Sequence, residues 1–274
     1  MKSFRSVAPV GALRWNLPTN LITVVALAAV GGFLWLQMAR ARNQRRRREA
    51  NLKIRDKMVA VAATPMEFVP VDASSIEGLN QEQLAAHTSS LAQLGFERLL
   101  DYRLRSGGKA ELSGFERVLV NSNERSFAGI MAAGVMEPNK PLYVAINSYM
   151  EDGWRLGTSN IPARKADYFL RLPRVLRMRY PDDSIENLVA RHFQRRAEIL
   201  RGLEIKLLPE VSSEAYLQHA RESAEQRKSK VQTANPLGDM PLAEVQGSAR
   251  NQEWLGDYPA EAERLRAQKK LATS

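Results

Sequence analysis

The stretch LYVAINSYMEDGWRLGT, residues 142–158, decides the fold class of this chain. Its two ends have the composition of β-strands, and Glu151-Asp152-Gly153 lies between them. An Asp-Gly pair tolerates the positive φ that a tight hairpin turn requires. The stretch therefore predicts two antiparallel strands, and turn geometry accounts for the acidic pair without an acid–base role.

Further strands and two helices surround this hairpin. Alternating or apolar segments predict strands at residues 100–105, 115–121 and 127–132, with residues 176–180 as a further candidate. One helix is predicted to begin at Asn80, a capping residue type, and to end at Gly95. A second is predicted from about Asp183 to Leu200. The order helix, antiparallel meander, helix indicates an α+β domain with its helices on one sheet face.

Residues 21–38, LITVVALAAVGGFLWLQM, carry no charge and predict one transmembrane helix. Trp15 and Trp35 lie near its two ends, as aromatic residues do at membrane interfaces. A cleaved signal peptide is the alternative, since Ala39-Arg40-Ala41 has the spacing of a cleavage site. The apolar run is longer than a signal-peptide core and arginines follow it directly, which favours an uncleaved anchor.

The cations beside this segment predict its orientation and a lipid contact. Lys and Arg are far more numerous after the predicted span than before it. The positive-inside rule therefore places the C-terminal side, with the folded domain, in the cytoplasm. Anionic lipid headgroups are the candidate ligands of an arginine cluster that follows the span. Its members are Arg40, Arg42, Arg45, Arg46, Arg47 and Arg48.

The formal net charge of +10 belongs to this membrane flank. Residues 1–57 hold 12 Lys and Arg and 2 Asp and Glu, so the rest of the chain holds 28 of each. A domain without net charge argues against a nucleic-acid partner. The absence of cysteine excludes disulfides and thiolate metal sites.

These observations divide the chain into six parts. The first four are an N-terminal tail at residues 1–20, the transmembrane helix at 21–38, a basic juxtamembrane helix at 39–64 and a linker at 65–78. The α+β domain is predicted at 79–205, and a polar tail of helices and loops at 206–274. This tail either packs on the domain or binds a partner.

Short motifs for catalysis, cofactors or metals are absent from the sequence. It contains no phosphate-binding glycine loop, no nucleophile elbow and no zinc-binding histidine pair, so no cofactor is predicted. His192 lies on the apolar side of the second predicted helix, where a packing role is the commoner one. His87 and His219 have polar neighbours and are predicted to be solvated.

A second group of cations lies between residues 164 and 201. It offers a basic face for anionic lipid, with solvated surface charge as the simpler interpretation. Its arginines are Arg171, Arg174, Arg177, Arg179, Arg191, Arg195 and Arg196.

The leading hypothesis for function is a membrane-anchored, non-enzymatic interaction or scaffold protein. It rests on the predicted anchor, on the lack of a catalytic motif and on a polar helical tail suited to an unknown protein partner. The alternative is a membrane-tethered enzyme of a class without short motifs. A concave pocket in which His192 or Glu151 meets polar groups from distant sequence would favour the enzyme.

Overall fold

The computed structural model describes residues 19–63, 66–106, 112–132, 137, 140–162, 171–233 and 253–273. Within these ranges the backbone alone is described at residues 19–29, 54–55, 57–63, 66, 106, 112, 231 and 272–273. The chain divides into two compact units, Met1–Ala50 and Asn51–Ser274.

The described part of the first unit is helical and belongs to α1, Thr19–Ala63. Its apolar side chains from Val30 to Met38 are exposed, with Trp35 65% accessible. The described residues contain no helix that is long and apolar enough to cross a membrane. Of the predicted span at residues 21–38, the side chains of 21–29 lie outside the described residues.

The second unit is built on a mixed sheet of eight strands whose order follows the sequence. Its strands are β1 Met66–Pro70, β2 Glu97–Ser106, β3 Leu112–Asn121, β4 Ser126–Ala132, β5 Tyr143–Tyr149, β6 Arg155–Ser159, β7 Val175–Arg179 and β8 Glu253–Trp254. The turn between β5 and β6 has positive φ at Asp152 and Gly153, which confirms the predicted hairpin.

The predicted antiparallel meander is wrong at one point, because β6 and β7 pair in parallel. Every other pair of neighbours is antiparallel. Parallel neighbours require a crossover much longer than a hairpin turn, and the connection from Ser159 to Val175 is long enough to provide one. The α+β class is confirmed, with a mixed sheet in place of an antiparallel one.

The described residues of this unit also form four α-helices: α2 Gln81–Gln93, α3 Ile185–Leu203, α4 Ser213–Thr233 and α5 Tyr258–Thr273. The N-cap of α2 is Asn80, whose Oδ1 accepts the Gln83 N–H at 3.0 Å, as predicted. Ser184 caps α3 by accepting the Asn187 N–H at 3.3 Å, so the N-cap lies one residue after Asp183. The C-cap of this helix is Glu204, which is in the left-handed conformation.

One face of the sheet packs against α2 and α3. Strand residues that point this way, such as Leu119, Ile130 and Ile146, are fully buried with Leu84 and Leu188 of the helices. The opposite face carries a smaller apolar cluster to which α4 contributes a residue. That cluster consists of Tyr102, Val118, Val120, Phe127 and Tyr216.

Segments that the sequence assigned to the linker and the tail take part in the sheet. Residues 66–70 form β1 and pair with β2. Residues 253–254 form β8, and the Trp254 Nε1 donates a hydrogen bond to the Leu172 carbonyl at 3.0 Å. Tyr216 of α4 and Ala262 of α5 are buried, so the described part of the tail packs on the domain.

Candidate functional site

A cavity of about 400 Å³ opens on the sheet face away from α2 and α3, and α4 forms one of its walls. The alternation of side chains along β5 places Ile146 and Ser148 toward α3 and Asn147 and Tyr149 in the cavity. The lining residues that matter for its chemistry are Tyr102, Glu116, Asn147, Tyr149, Arg177 and Arg227.

Glu116 is the acidic side chain of this cavity, and two tyrosines hold it. The Tyr216 hydroxyl donates to its Oε1 at 2.6 Å, and the Tyr102 hydroxyl donates to its Oε2. Burial raises the pKa of Glu116, while the two hydrogen bonds act in the opposite direction. Burial also raises the pKa of Tyr102 and of Tyr216, and the Glu116 charge adds to both shifts. The two phenols therefore stay protonated and serve as donors.

Two glycines keep the floor of the cavity open. A Cβ at Gly129 would overlap Oε1 of Glu116, so the missing side chain is what allows the carboxylate to lie across β4. A Cβ at Gly157 would lie 3.1 Å from the Asn147 Oδ1. Neither glycine has a positive φ, so each is required for space rather than for backbone conformation.

Aromatic contacts fasten α4 over this face. The rings of Tyr149 and His219 stack with centroids 3.9 Å apart and planes 17° apart. The rings of Phe127 and Tyr216 meet at 5.1 Å. His219 is therefore half-buried and not solvated as the sequence suggested, and burial lowers its pKa. The wall of the cavity is thus held by ring packing as well as by hydrogen bonds.

A smaller lobe of about 150 Å³ adjoins the cavity and shares part of its lining. The shared residues include Asn147, Tyr149, Arg177 and Arg227, and the smaller lobe adds Arg155. Arg155 donates to the Ser223 hydroxyl and lies 3.6 Å from a carboxylate oxygen of Glu222. Burial lowers the pKa of Arg227, yet a guanidinium stays a cation at neutral pH.

His192 lies behind the sheet, in a polar network and not in the cavity. Its Nε2 lies 2.9 Å from the Ser148 hydroxyl and its Nδ1 lies 3.0 Å from the Thr158 hydroxyl. Ser126 and Arg196 extend the network by bonds of 2.8 and 2.7 Å. His192 is 0% exposed, and burial lowers its pKa to about 3. It is a packing residue with both nitrogens hydrogen-bonded, as the sequence favoured.

The other candidates from the sequence lie elsewhere. Glu151 is exposed in the hairpin turn, where its carboxylate accepts the Lys206 N–H at 2.8 Å. His87 is half-buried and not solvated, and its Nε2 has no hydrogen-bond partner within the described part of the chain. The predicted lipid-contacting arginines lie on α1 with mostly exposed side chains: Arg40, Arg42, Arg45, Arg46, Arg47 and Arg48.

The second group of arginines is distributed over separate contacts. The Arg171 guanidinium lies over the Trp254 ring, and that of Arg191 lies 2.7 Å from Asp183. Arg177 and Arg179 line the cavity instead. Their close numbers suggested one face, whereas Arg177 and Arg179 share the cavity side of β7 and Arg191 lies on α3.

Weak signals for the cavity can be identified in the sequence. Glu116 shares its strand face with Val118 and Val120, and a carboxylate in such an apolar row points to a special environment. Tyr216 and Arg227 lie on α4, in the polar tail for which the sequence left packing on the domain and partner binding both open. Their side chains point toward the same sheet only in the folded chain.

The chemistry available in the cavity is recognition by phenols, an amide, a carboxylate and guanidinium groups. Within the described residues, His, Cys, Asp and Glu form no group of three or more that could hold a metal ion. The chain matches no protein-family model, no curated protein and no solved structure. The cavity is therefore the feature of the chain that points to a function.

Proposed function

We propose that this protein is a membrane-anchored, non-enzymatic interaction protein whose α+β domain binds a small organic molecule in the cavity. One observation carries this proposal: a cavity of about 400 Å³ is lined by a carboxylate that two tyrosines already hold in place. Small-molecule sites are clefts of about 300–1,000 Å³ with a few fixed polar groups. A preorganised polar floor of this kind suits a ligand with hydroxyl or amino donors.

The positions of the acid–base side chains favour a binding function without catalysis. His192 and Glu151, the two candidates from the sequence, line neither lobe. Glu116 is engaged by two phenols that serve as donors. A membrane-tethered enzyme is the second candidate, and the raised pKa of Glu116 favours it, because a general acid requires such a shift.

The membrane anchor in this proposal is supported by the sequence. The 18 uncharged residues at 21–38 would cross the bilayer, with the folded domain in the cytoplasm. The arginines from Arg40 to Arg48 would then meet anionic headgroups, each cation contributing about 1 kcal/mol near the surface. A protein partner of unknown identity completes the interaction role.

The binding proposal is tested by ligand-observed NMR with the full chain in dodecyl maltoside micelles. The probes are small aromatic alcohols, amines, carboxylates and phosphate esters. Ala220 of α4 lines the cavity, so Ala220→Trp fills part of it. Ala190→Trp, at an exposed position of α3, is the matched control. We expect at least one probe to bind both the wild type and the control variant, and not to bind Ala220→Trp.

Two results would decide against this proposal. If the wild-type chain binds none of the probes, or if Ala220→Trp binds them as the wild type does, the cavity is not a ligand site. If a bound probe is converted to a new compound and Glu116→Gln abolishes the conversion, the enzyme candidate replaces the non-enzymatic one.

A further inference from the structure

We infer that the ligand of the cavity carries a phosphate monoester, which Arg155, Arg177 and Arg227 bind in the smaller lobe. This inference rests on the proposed function and names the chemical class of its ligand. The three arginines come from β6, β7 and α4, so the fold and not the local sequence brings them together.

The charge of the smaller lobe is the first argument. Three arginines line it, and its described lining contains no Asp or Glu. Two acids outside this lining interact with the arginines: a Glu222 carboxylate oxygen, 45% exposed, lies 3.6 Å from Arg155, and the Arg227 charge acts to lower the pKa of Glu116 in the larger lobe. Cations gathered around a recess repel one another, and an anion placed between them removes that repulsion. Such a recess therefore selects an anionic group.

The donors of the smaller lobe favour phosphate over carboxylate. Each guanidinium presents a planar fork that matches phosphate oxygens, and arginine is the residue of choice for this recognition. A phosphate monoester has three terminal oxygens and a charge of about −1.5 to −2 at neutral pH, so it suits three cations better than a carboxylate with a single charge. Asn147 and Ser223 add neutral polar groups to the lining.

The connection between the lobes indicates how the rest of the ligand lies. Both lobes share Gly157, whose missing side chain leaves room beside Asn147. A ligand with its phosphate in the smaller lobe extends its body into the larger one, toward Tyr102 and Glu116. The Glu116 carboxylate favours a hydroxyl or amino group at that end and disfavours a second anion.

The experiment is an NMR titration of the full chain in dodecyl maltoside, a phosphate-free detergent. The probes are phenyl phosphate and benzyl alcohol, which share a ring and differ in charge. We expect Arg177→Gln and Arg227→Gln each to weaken the affinity for phenyl phosphate by about tenfold to a hundredfold, which is the effect of losing a charged hydrogen bond. Benzyl alcohol has no phosphate, so its affinity should fall much less than that of phenyl phosphate, although both arginines also line the larger lobe. Arg201→Gln, at an exposed position of α3, is the control and should match the wild type.

Folding of the variants is checked within the same titration, because retained benzyl alcohol binding shows a folded cavity. Arg227→Lys keeps the charge and loses the fork, so it should recover part of the phenyl phosphate affinity. Dihexanoyl phosphatidic acid carries the same phosphate chemistry on a lipid. Tighter binding of this lipid than of phenyl phosphate would identify a lipid source, and weaker binding a soluble one; both support the inference.

Three outcomes separate this inference from the proposed function. If phenyl phosphate binds no better than benzyl alcohol, the phosphate inference is overturned and the proposed function stands. The phosphate inference is also overturned if the arginine variants weaken the binding of phenyl phosphate and benzyl alcohol equally. If neither phenyl phosphate nor benzyl alcohol binds, and if Ala220→Trp binds every other probe as the wild type does, both proposals are wrong.

Discussion

Acidification should destabilise the folded domain through His192, which has no exposed surface in the structure. Its two ring nitrogens are hydrogen-bonded to Ser148 and Thr158, so a second ring proton has no acceptor without rearrangement of these hydroxyls. Arg196, a cation on the same helix, further disfavours a charged imidazole. Burial together with this repulsion lowers the pKa of His192 to about 3, against 6.5 for an ordinary histidine.

The magnitude follows from the two pKa values. Because the pKa is lower in the folded state, the contribution of His192 is fully present above pH 6.5 and is lost as the pH falls toward 3. Each pH unit in this window costs about 1.4 kcal/mol of unfolding free energy. Acidification from neutral pH to about pH 5 therefore removes about 2 kcal/mol through this one side chain.

The assay is urea unfolding of the full chain, followed by circular dichroism at neutral pH and at about pH 5. His192→Gln loses the titrating group, so its stability should fall by about 2 kcal/mol less than that of the wild type over this range. His87→Gln and His219→Gln serve as controls and keep most of the wild-type dependence, because both side chains are only half-buried. An identical acid dependence in the wild type and in His192→Gln would refute the buried neutral histidine.

Three further predictions concern the cavity, a helix cap and the membrane topology. Gly129→Ala should destabilise the fold by about 1–3 kcal/mol, because the new Cβ displaces Glu116 from its tyrosine donors. A stabilisation of about 0.5–1 kcal/mol, which glycine replacement usually gives inside a strand, would contradict this steric argument. Asn80→Ala should cost about 1 kcal/mol in urea unfolding by removing the cap of α2, whereas Gln93→Ala at the other end should be nearly neutral. A cysteine at exposed Ser229 should react with a membrane-impermeant maleimide only after cells are opened, and labelling in intact cells would show the opposite orientation.

The parts of the fold that the sequence predicted are those fixed by neighbouring residues. Asp152-Gly153 places a hairpin, and Asn80 with Gly95 bounds a helix, because capping and positive φ are decided within a few residues. The parallel pairing of β6 and β7 has no such local signature. It depends on a long crossover and on the partner strand, so strand patterns alone favoured the simpler antiparallel order.

The candidate site was missed because its residues are joined by the tertiary structure. Glu116 and Tyr216 are separated by a hundred positions, and their hydrogen bond forms only when α4 lies across β3. α4 is rich in charged residues, so its composition predicted a polar tail. The aromatic contacts that hold it against the sheet have no signal in that composition. Motif searches find groups that are close in sequence, and this cavity draws its groups from β2, β3, β5, β7 and α4.

Two residues at the cavity, Glu116 and Gly129, lower the stability of the fold and so favour a functional role for it. A carboxylate in an apolar strand row costs free energy that another valine at position 116 would avoid. A glycine at position 129 adds a further cost of about 0.5–1 kcal/mol within its strand. The two costs are linked, since a Cβ at position 129 would overlap the Glu116 carboxylate. Locally unfavourable residues that together form a preorganised polar group are expected at functional sites, which is why these two residues support the proposed binding function.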